Sequence, residues 1–204
     1  MMHIIQRMRH SEEEKRRSHE RIVDVAAGRI REAGTDGPGV AEIMAAAGMT
    51  HGGFYKHFGS RDELIAEAAA RACADGSSRL AESVGHAEDP LAALVTQYLS
   101  AEHRDLPATG CAVAALGGDA ARPGNPARAA FTEQIRRYVG RLQGLVGTDD
   151  AGSGDARDRA IATMSTLVGA LIISRAVEDP ELADEVLAGT RAALLASQTR
   201  AAPA

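Results

Sequence analysis

Asp89-Pro90, Asn125-Pro126 and Asp179-Pro180 repeat one device, and helix-spaced apolar residues follow each of them. An Asp or Asn side chain accepts the free N–H groups of a first helical turn. Proline just inside that turn gives up an N–H that has no intrahelical partner anyway. After Asp89, the residues Leu91, Leu94, Val95, Tyr98 and Leu99 fall at i, i+3, i+4, i+7 and i+8. Phe131, Ile135, Tyr138, Leu142 and Leu145 keep a similar rhythm after Asn125. These are the stripes of amphipathic helices. Nothing in the chain reads as a strand, and the sequence predicts an all-α fold of about nine helices.

The remaining helices are bounded by ordinary start and stop signals. A first helix is expected from about Glu12 to Ala33, with Ser11 and Glu14 at capping-box spacing, an apolar stripe of Ile22, Val25, Ala26 and Ile30, and Gly34 as its stop. TDGPG breaks the chain, and short helices follow over Val40 to Ala47 and after Thr50, with Thr50 as N-cap. Ser60 and Glu63 form another capping box, opening a long helix to about Val84. A short apolar segment covers Cys111 to Leu116; TDDAGSGD (148–155) reads as a mobile loop. Helices from Arg157 to Val177 and from Pro180 to about Ser197 complete the chain.

At 204 residues, 45% hydrophobic and 25% charged, the composition is that of an ordinary globular protein with length enough for a proper core. No apolar run approaches the roughly 18 residues that span a bilayer, and MMHIIQRMRH has no apolar signal region. With two cysteines and no disulfide framework, a reducing cytoplasm and no membrane partner are expected. Net charge is -5, which argues against a polyanion partner, but the distribution is uneven. Residues 1–61 carry ten basic against eight acidic residues and five of the seven histidines, whereas the remainder is strongly acidic. Such asymmetry fits a polyanion-facing end on an acidic body, and equally fits ordinary surface variation.

Three of the six aromatic residues crowd into THGGFYKHFGS (Thr50–Ser60), beside a glycine pair that weakens any helix. Together with the helix before it, VAEIMAAAGMTHGGFYKHF has the form of a helix-turn-helix. Phe54 and Phe58, at i and i+4, share the face turned to a small core. His51, Gly52, Tyr55 and Lys56 lie opposite, offering donors, a cation and bare backbone.

ERIVDVAAGRIREAG followed by GVAEIMAAAGMTHGGFYKHFGSRDELIAEA resembles the DNA-binding domain of TetR-family transcriptional regulators over roughly residues 12 to 70. Ile22, Ala26, Gly34, Ile43, Ala47, Gly48, Phe54, Tyr55, Phe58 and Leu64 carry the match. The resemblance implies a three-helix DNA-binding domain over 1–65, with 1–11 as a flexible arm, and an effector-binding and dimerisation domain over 66–204. It places His51 and Gly52 at base edges and Tyr55, Lys56 and His57 on phosphates, with Thr50 contributing its hydroxyl or N–H. Phosphate contacts set register and base contacts set sequence. Two alternatives stay open here. His51 reads a base or is merely exposed, and Tyr55 is a core residue or extends its hydroxyl to phosphate. The chain departs from the family at Gly39, where Ser or Thr is usual, and at Ile30, where Phe is usual.

The resemblance further implies a homodimer through the last two helices, binding a near-palindromic double-stranded operator, with repression as the usual mode. Leu167, Leu171 and Ile172 supply an apolar face with Ser165, Gly169 and Ala170 as small neighbours; Leu182, Val186, Gly189, Ala193 and Leu194 repeat the theme. Tyr98, His103, Cys111, Leu116, Phe131, Tyr138 and Met164 are the expected lining of a pocket for a small-molecule or electrophilic effector. Cys111, after Thr109-Gly110 at a helix start, is similar to the thiol of a family subgroup that senses electrophiles or reactive chlorine. The competing reading is a small buried hydrophobe. An activator of the same fold, or a helical interaction module that binds no DNA, are the rival functions. Catalytic fingerprints, paired metal-ligand spacing and a C-x-x-C are all missing from the sequence, so no enzyme activity, metal or cofactor is expected.

Overall fold

The computed structural model describes the backbone of residues 2–85, 87–146 and 152–201 and the side chains of 12–76, 84, 85, 87–146 and 155–197. These residues form nine α-helices and no strand: α1 (Met2–Ala33), α2 (Val40–Ala46), α3 (Arg61–Val84), α4 (Pro90–Tyr98), α5 (Ala101–Asp105), α6 (Ala112–Ala120), α7 (Arg128–Leu145), α8 (Gly152–Ala176) and α9 (Pro180–Ala201). Two short 3-10 helices, His51–Lys56 and Pro107–Thr109, complete the described elements.

α1 begins well before Glu12, so Ser11 lies within a helix rather than capping one. No glycine or proline interrupts 2–11, and Met, Gln and Arg are good helix formers. Gly34 ends α1 with φ +80° and Gly48 turns the chain after α2 with φ +72°, conformations that suit glycine. The Asp89 side chain accepts the N–H of Ala92 and that of Asp179 accepts from Glu181, as their Asp-Pro sequences require. Asn125 behaves differently. Its Oδ1 accepts from Ala127 N, while its amide donates to Thr35 Oγ1 at 3.0 Å, and α7 starts only at Arg128. It therefore shapes a turn and a long-range contact instead of a helix cap. The loop expected at 148–155 lies partly outside the described residues, and α8 already starts at Gly152.

Ile22, Ala26, Ile30, Ile43, Phe54, Phe58, Leu64 and Ile65 form the N-terminal part of the core. α3 passes residue 65 without a break and carries that core on through Ala68, Ala69 and Ala72 to the helices beyond. The joint is also polar. Arg31, almost wholly buried, donates from Nε to Ala108 O and from Nη1 to Ala72 O. At the turn after α1, Thr35 N donates to Asp119 Oδ2 and Thr35 O accepts from Arg61.

α8 packs against both α7 and α9. By length and composition alone its Asp155–Ala176 segment could cross a membrane, a test that helices of globular proteins also pass; 28% of its most apolar stretch is buried in the fold. Leu167 and Leu171, expected on a shared subunit face, are buried within the chain. Ile161, Ile172, Ile173 and, on α9, Leu182 stay exposed.

Candidate nucleic-acid interface and effector cavity

The segment after the α2 turn is a single short 3-10 helix, His51–Lys56, rather than an ordinary recognition helix. Gly53 N donates to Thr50 O at 3.0 Å, the tighter i to i+3 pattern. Two consecutive glycines in so short a segment remove the propensity that would favour α-geometry. Thr50 holds the N-cap position, but its side chain makes no capping bond; nor can Gly39, the N-cap of α2, supply one.

Phe54 and Phe58 anchor the segment from below, their rings 5.5 Å apart, both buried and stacked in series with His19. Above them His51, Gly52, Tyr55 and Lys56 face outward. Tyr55 is 76% exposed and touches Phe54 only edge-on at 5.2 Å, so its ring is no part of the core. A Cβ added at Gly52 would meet nothing within 4 Å, and at Gly53 only ordinary contacts with Met44 and Thr50. No crowding inside the chain therefore calls for glycine at 52.

His57 is placed differently from its neighbours. Its ring lies 6.0 Å from that of His19, and its Nδ1 is buried without a hydrogen-bond partner among the described residues. Burial, then the positive charges of His19, Lys15 and Lys56, hold its pKa below the ordinary value. Neutral imidazole can meet a phosphate only as a hydrogen-bond donor, not as a cation. Lys15, on α1, belongs to this same electrostatic neighbourhood. Only the charge asymmetry of residues 1–61 pointed toward it in the sequence.

In the C-terminal part, two cavities meet at Tyr98 and Tyr138, which line both. The first, about 210 Å³, is polar on one side and includes His103, Thr109, Gly110 and Cys111. The second, about 310 Å³, is walled by Leu94, Leu142, Leu145, Met164, Leu167 and Val168, with Arg141 also on its wall. Of the residues expected around an effector, His103 and Cys111 line the first cavity, Met164 the second, and Tyr98 and Tyr138 both. Phe131 and Leu116 are core residues lining neither cavity. Missed from sequence were α5 and the Pro107–Thr109 turn, which set the distance between His103 and Cys111.

Cys111 is the N-cap residue of α6 and is 4% exposed, its Sγ 3.9 Å from Tyr138 Oη. Its amide donates to His103 Nε2 at 3.0 Å, while His103 Nδ1 lies 2.8 Å from Tyr98 O. An amide can only donate and a carbonyl only accept. Nε2 is therefore bare and Nδ1 carries the hydrogen, so His103 is neutral here; burial lowers its pKa accordingly. Gly110 makes this possible. A Cβ there would stand 3.0 Å from His103 Cδ2 and 3.1 Å from Arg175 Nη2. Arg175 in turn donates to His103 O and Arg104 O, pinning α5 to α8. Cys73, by contrast, is packed in α3 with its thiol pKa raised by burial to about 11, and lines neither cavity.

A helix-turn-helix head with an outward donor face, carried on a helical body that encloses cavities, is the architecture of DNA-binding regulators. Residues 22–68 match the model of the bacterial regulatory proteins, tetR family. That segment is thus a tetR-type N-terminal domain, and the rest of the chain shares the fold of the solved regulators described next. A TetR-family transcriptional regulator from Cytophaga hutchinsonii superposes with a TM-score of 0.75 at 17% identity, covering 90% of this chain and 96% of its own. A TetR regulator from Chloroflexus aurantiacus gives 0.73 at 20%, covering 90% and 96%. The reduced form of E. coli NemR gives 0.70 at 18%, covering 87% and 94%. At such identities these likenesses establish the fold. No curated protein sequence matches the chain.

Proposed function

We propose that the protein is an effector-responsive repressor that binds a near-palindromic operator as a homodimer and senses electrophiles through Cys111. The observation that carries the DNA reading is the segment 51–56. It is apolar beneath and donor-rich above, with a glycine at 52 that no contact inside the chain requires. Backbone lying close to a groove gives that glycine a reason. Thr50, His51, Gly52, Tyr55 and Lys56 form the groove face, His51 at a base edge and Lys56 on phosphate. His57 adds an uncharged donor at its margin.

The exposed Ile161, Ile172, Ile173 and Leu182 support pairing of α8 and α9 with a second copy, since large apolar side chains left exposed on two packed helices suit a contact surface. A two-fold dimer sets its two heads roughly 34–36 Å apart, one turn of DNA. Signal passage follows the hydrogen bonds. Modification of Cys111 disturbs the N-terminal end of α6, and Asp119 near its other end holds Thr35 of the DNA-binding head. Repression requires that the modified state bind operator less well.

Footprinting of the purified protein on DNA flanking its own coding region, before and after treatment with N-ethylmaleimide, tests the whole reading. Protection over two half-sites, lost on treatment and retained in Cys111→Ser, is expected. Loss of protection in Cys111→Ser as well would remove Cys111 from sensing. Absence of any salt-sensitive DNA binding would end the regulator reading itself.

A further inference from the structure

The two cavities raise a question that a reactive thiol alone does not answer: what kind of electrophile would this site favour? Three features constrain it. The larger cavity is almost wholly aliphatic, lined by Val84, Leu94, Leu142, Leu145, Leu167 and Val168, with Tyr98 and Tyr138 as its aromatic groups. No facing aromatic pair among its other lining residues sandwiches a planar ring. Such a chamber suits a flexible hydrocarbon chain better than a fused aromatic.

The second feature is the tyrosine wall. Tyr98 is 6% exposed, and its hydroxyl stands beside the weakly bonding Cys111 thiol with no geometrically well-formed hydrogen bond among the described residues. A buried hydroxyl left unpaired in a cavity wall is a donor awaiting an acceptor. The third is distance. Tyr138 Oη is 3.9 Å from Cys111 Sγ and 3.6 Å from where a Cβ of Gly76 would stand, so the hydroxyl end of the wall reaches the thiol cavity while its ring lines the aliphatic one.

We propose that the two cavities are one site for an α,β-unsaturated aldehyde bearing an unbranched apolar chain: the chain lies in the aliphatic cavity, the carbonyl oxygen accepts from Tyr98 Oη, and the β-carbon meets Cys111 Sγ. This assignment rests on the thiol-sensing reading above and adds the ligand class. The chemistry is a conjugate addition. The Cys111 S–H bond breaks and an Sγ–C bond forms at the β-carbon. The C=C π pair moves toward the carbonyl as an enolate whose oxygen Tyr98 holds, and the thiol proton ends on the α-carbon. The product is a thioether aldehyde. Nothing is oxidised or reduced overall, and no co-reactant is needed. The hydrogen bond from Tyr98 is strongest when charge develops on that oxygen, so it favours the addition step itself.

The test compares trans-2-nonenal with propenal, which has the same reacting atoms and no chain. Adduct formation on the full-length protein is followed by intact mass and peptide mapping, each rate being divided by that of the same aldehyde with glutathione. Nonenal should lead propenal by about tenfold or more on this scale, because burial of each methylene adds to binding. Val168→Phe on α8 and Leu145→Phe on α7, both of which fill the aliphatic cavity, should abolish the lead of nonenal over propenal. Tyr98→Phe should slow both aldehydes. Equal normalised rates for the two aldehydes in the wild type would overturn the ligand class, as would a nonenal lead that survives both cavity-filling variants. If Cys111 stays unmodified by propenal and N-ethylmaleimide alike, the thiol-sensing reading fails first, and this one with it.

Discussion

Asp119 Oδ2 accepts the amide hydrogen of Thr35 at 2.7 Å, tying the last turn of α6 to the turn that leaves α1. The contact is close enough that a Cβ on the intervening Gly34 would lie 2.8 Å from the same oxygen. Thr35 is 2% exposed, its carbonyl is held by Arg61 at 2.6 Å and its hydroxyl by Asn125. Asp119→Ala leaves a buried N–H unpaired, which costs about 1–3 kcal/mol. The thermal midpoint should fall by roughly 2–4 °C per kcal/mol for a chain of this size. An unchanged midpoint in scanning calorimetry would mean that the bond contributes nothing to the joint.

That joint explains what the sequence could and could not reveal. Helix starts at Asp89 and Asp179 were legible because an Asp-Pro pair acts within one turn. Phe54 and Phe58 were assignable to one face because their spacing is a property of the local helix. Asn125 looked the same as those aspartates, yet its amide is engaged by Thr35, far away in sequence, and α7 starts later as a result. α5 escaped notice because five residues capped by Ser100 leave no periodic stripe. Leu167 and Leu171 carry the pattern of an exposed contact face, but both are buried within the chain, on a helix that packs against several neighbours. Periodicity tells that a face is apolar, not which neighbour buries it.

Gly52→Ala separates an intrinsic from an external reason for glycine. No atom of the chain stands within 4 Å of the added methyl group, and alanine is the better residue in a helical turn by about 0.5–1 kcal/mol. Folding stability should therefore hold or rise slightly. If the backbone at 52 approaches a DNA groove, operator affinity should drop about tenfold, or 1.4 kcal/mol. Wild-type affinity in a fluorescence-anisotropy titration would place residue 52 away from DNA.

Lys56→Ala addresses phosphate binding rather than sequence reading. Lys56 lies in the last turn of the 51–56 segment, clear of the ion pairs that engage Arg16, Arg17 and Arg71. Removing one cation from a phosphate reduces the slope of log K against log salt concentration by about 0.9, so a dimer should show a slope shallower by about 1.8. Affinity should weaken by a similar factor for operator and unrelated DNA. A variant that relaxes preference at one base position, with the salt slope unchanged, would assign Lys56 to base reading instead.

Gly110→Ala tests the geometry that holds Cys111 in place. Gly110 has φ -82°, an ordinary value for any residue, so its requirement is space. The added methyl would press on His103 at 3.0 Å and on Arg175 at 3.1 Å, and His103 is held at both ring nitrogens. Overpacking of this kind costs about 1–3 kcal/mol. The imidazole should move and release the Cys111 N–H, visible as faster amide exchange at Cys111 and a shifted His103 Nε2 resonance. Unaltered exchange would show that the site absorbs the methyl without moving the ring.

His103 and His57 together give the protein an acid-sensitive range whose sign follows from their burial. Both have folded-state pKa values below the ordinary 6.5, in each case chiefly through desolvation. At neutral pH and above, both histidines are deprotonated in folded and unfolded chains alike, and their contribution to stability is fully present. As pH falls through 6.5 the unfolded chain takes up protons that the folded one resists, so stability declines until the lower folded-state values are passed. For His103 the proton would enter at Nε2, where it opposes the Cys111 N–H. Urea unfolding at pH 7.5 and pH 5.5 should show lower stability at the acidic value, with a smaller difference in His103→Gln. Asp105, whose pKa is lowered by its bond to Arg104, acts in the same direction only below the ordinary carboxylate range, so it does not mask the effect. Equal stability at the two pH values, or a difference unchanged in His103→Gln, would mean that His103 accepts its proton in the folded state as readily as in the unfolded one.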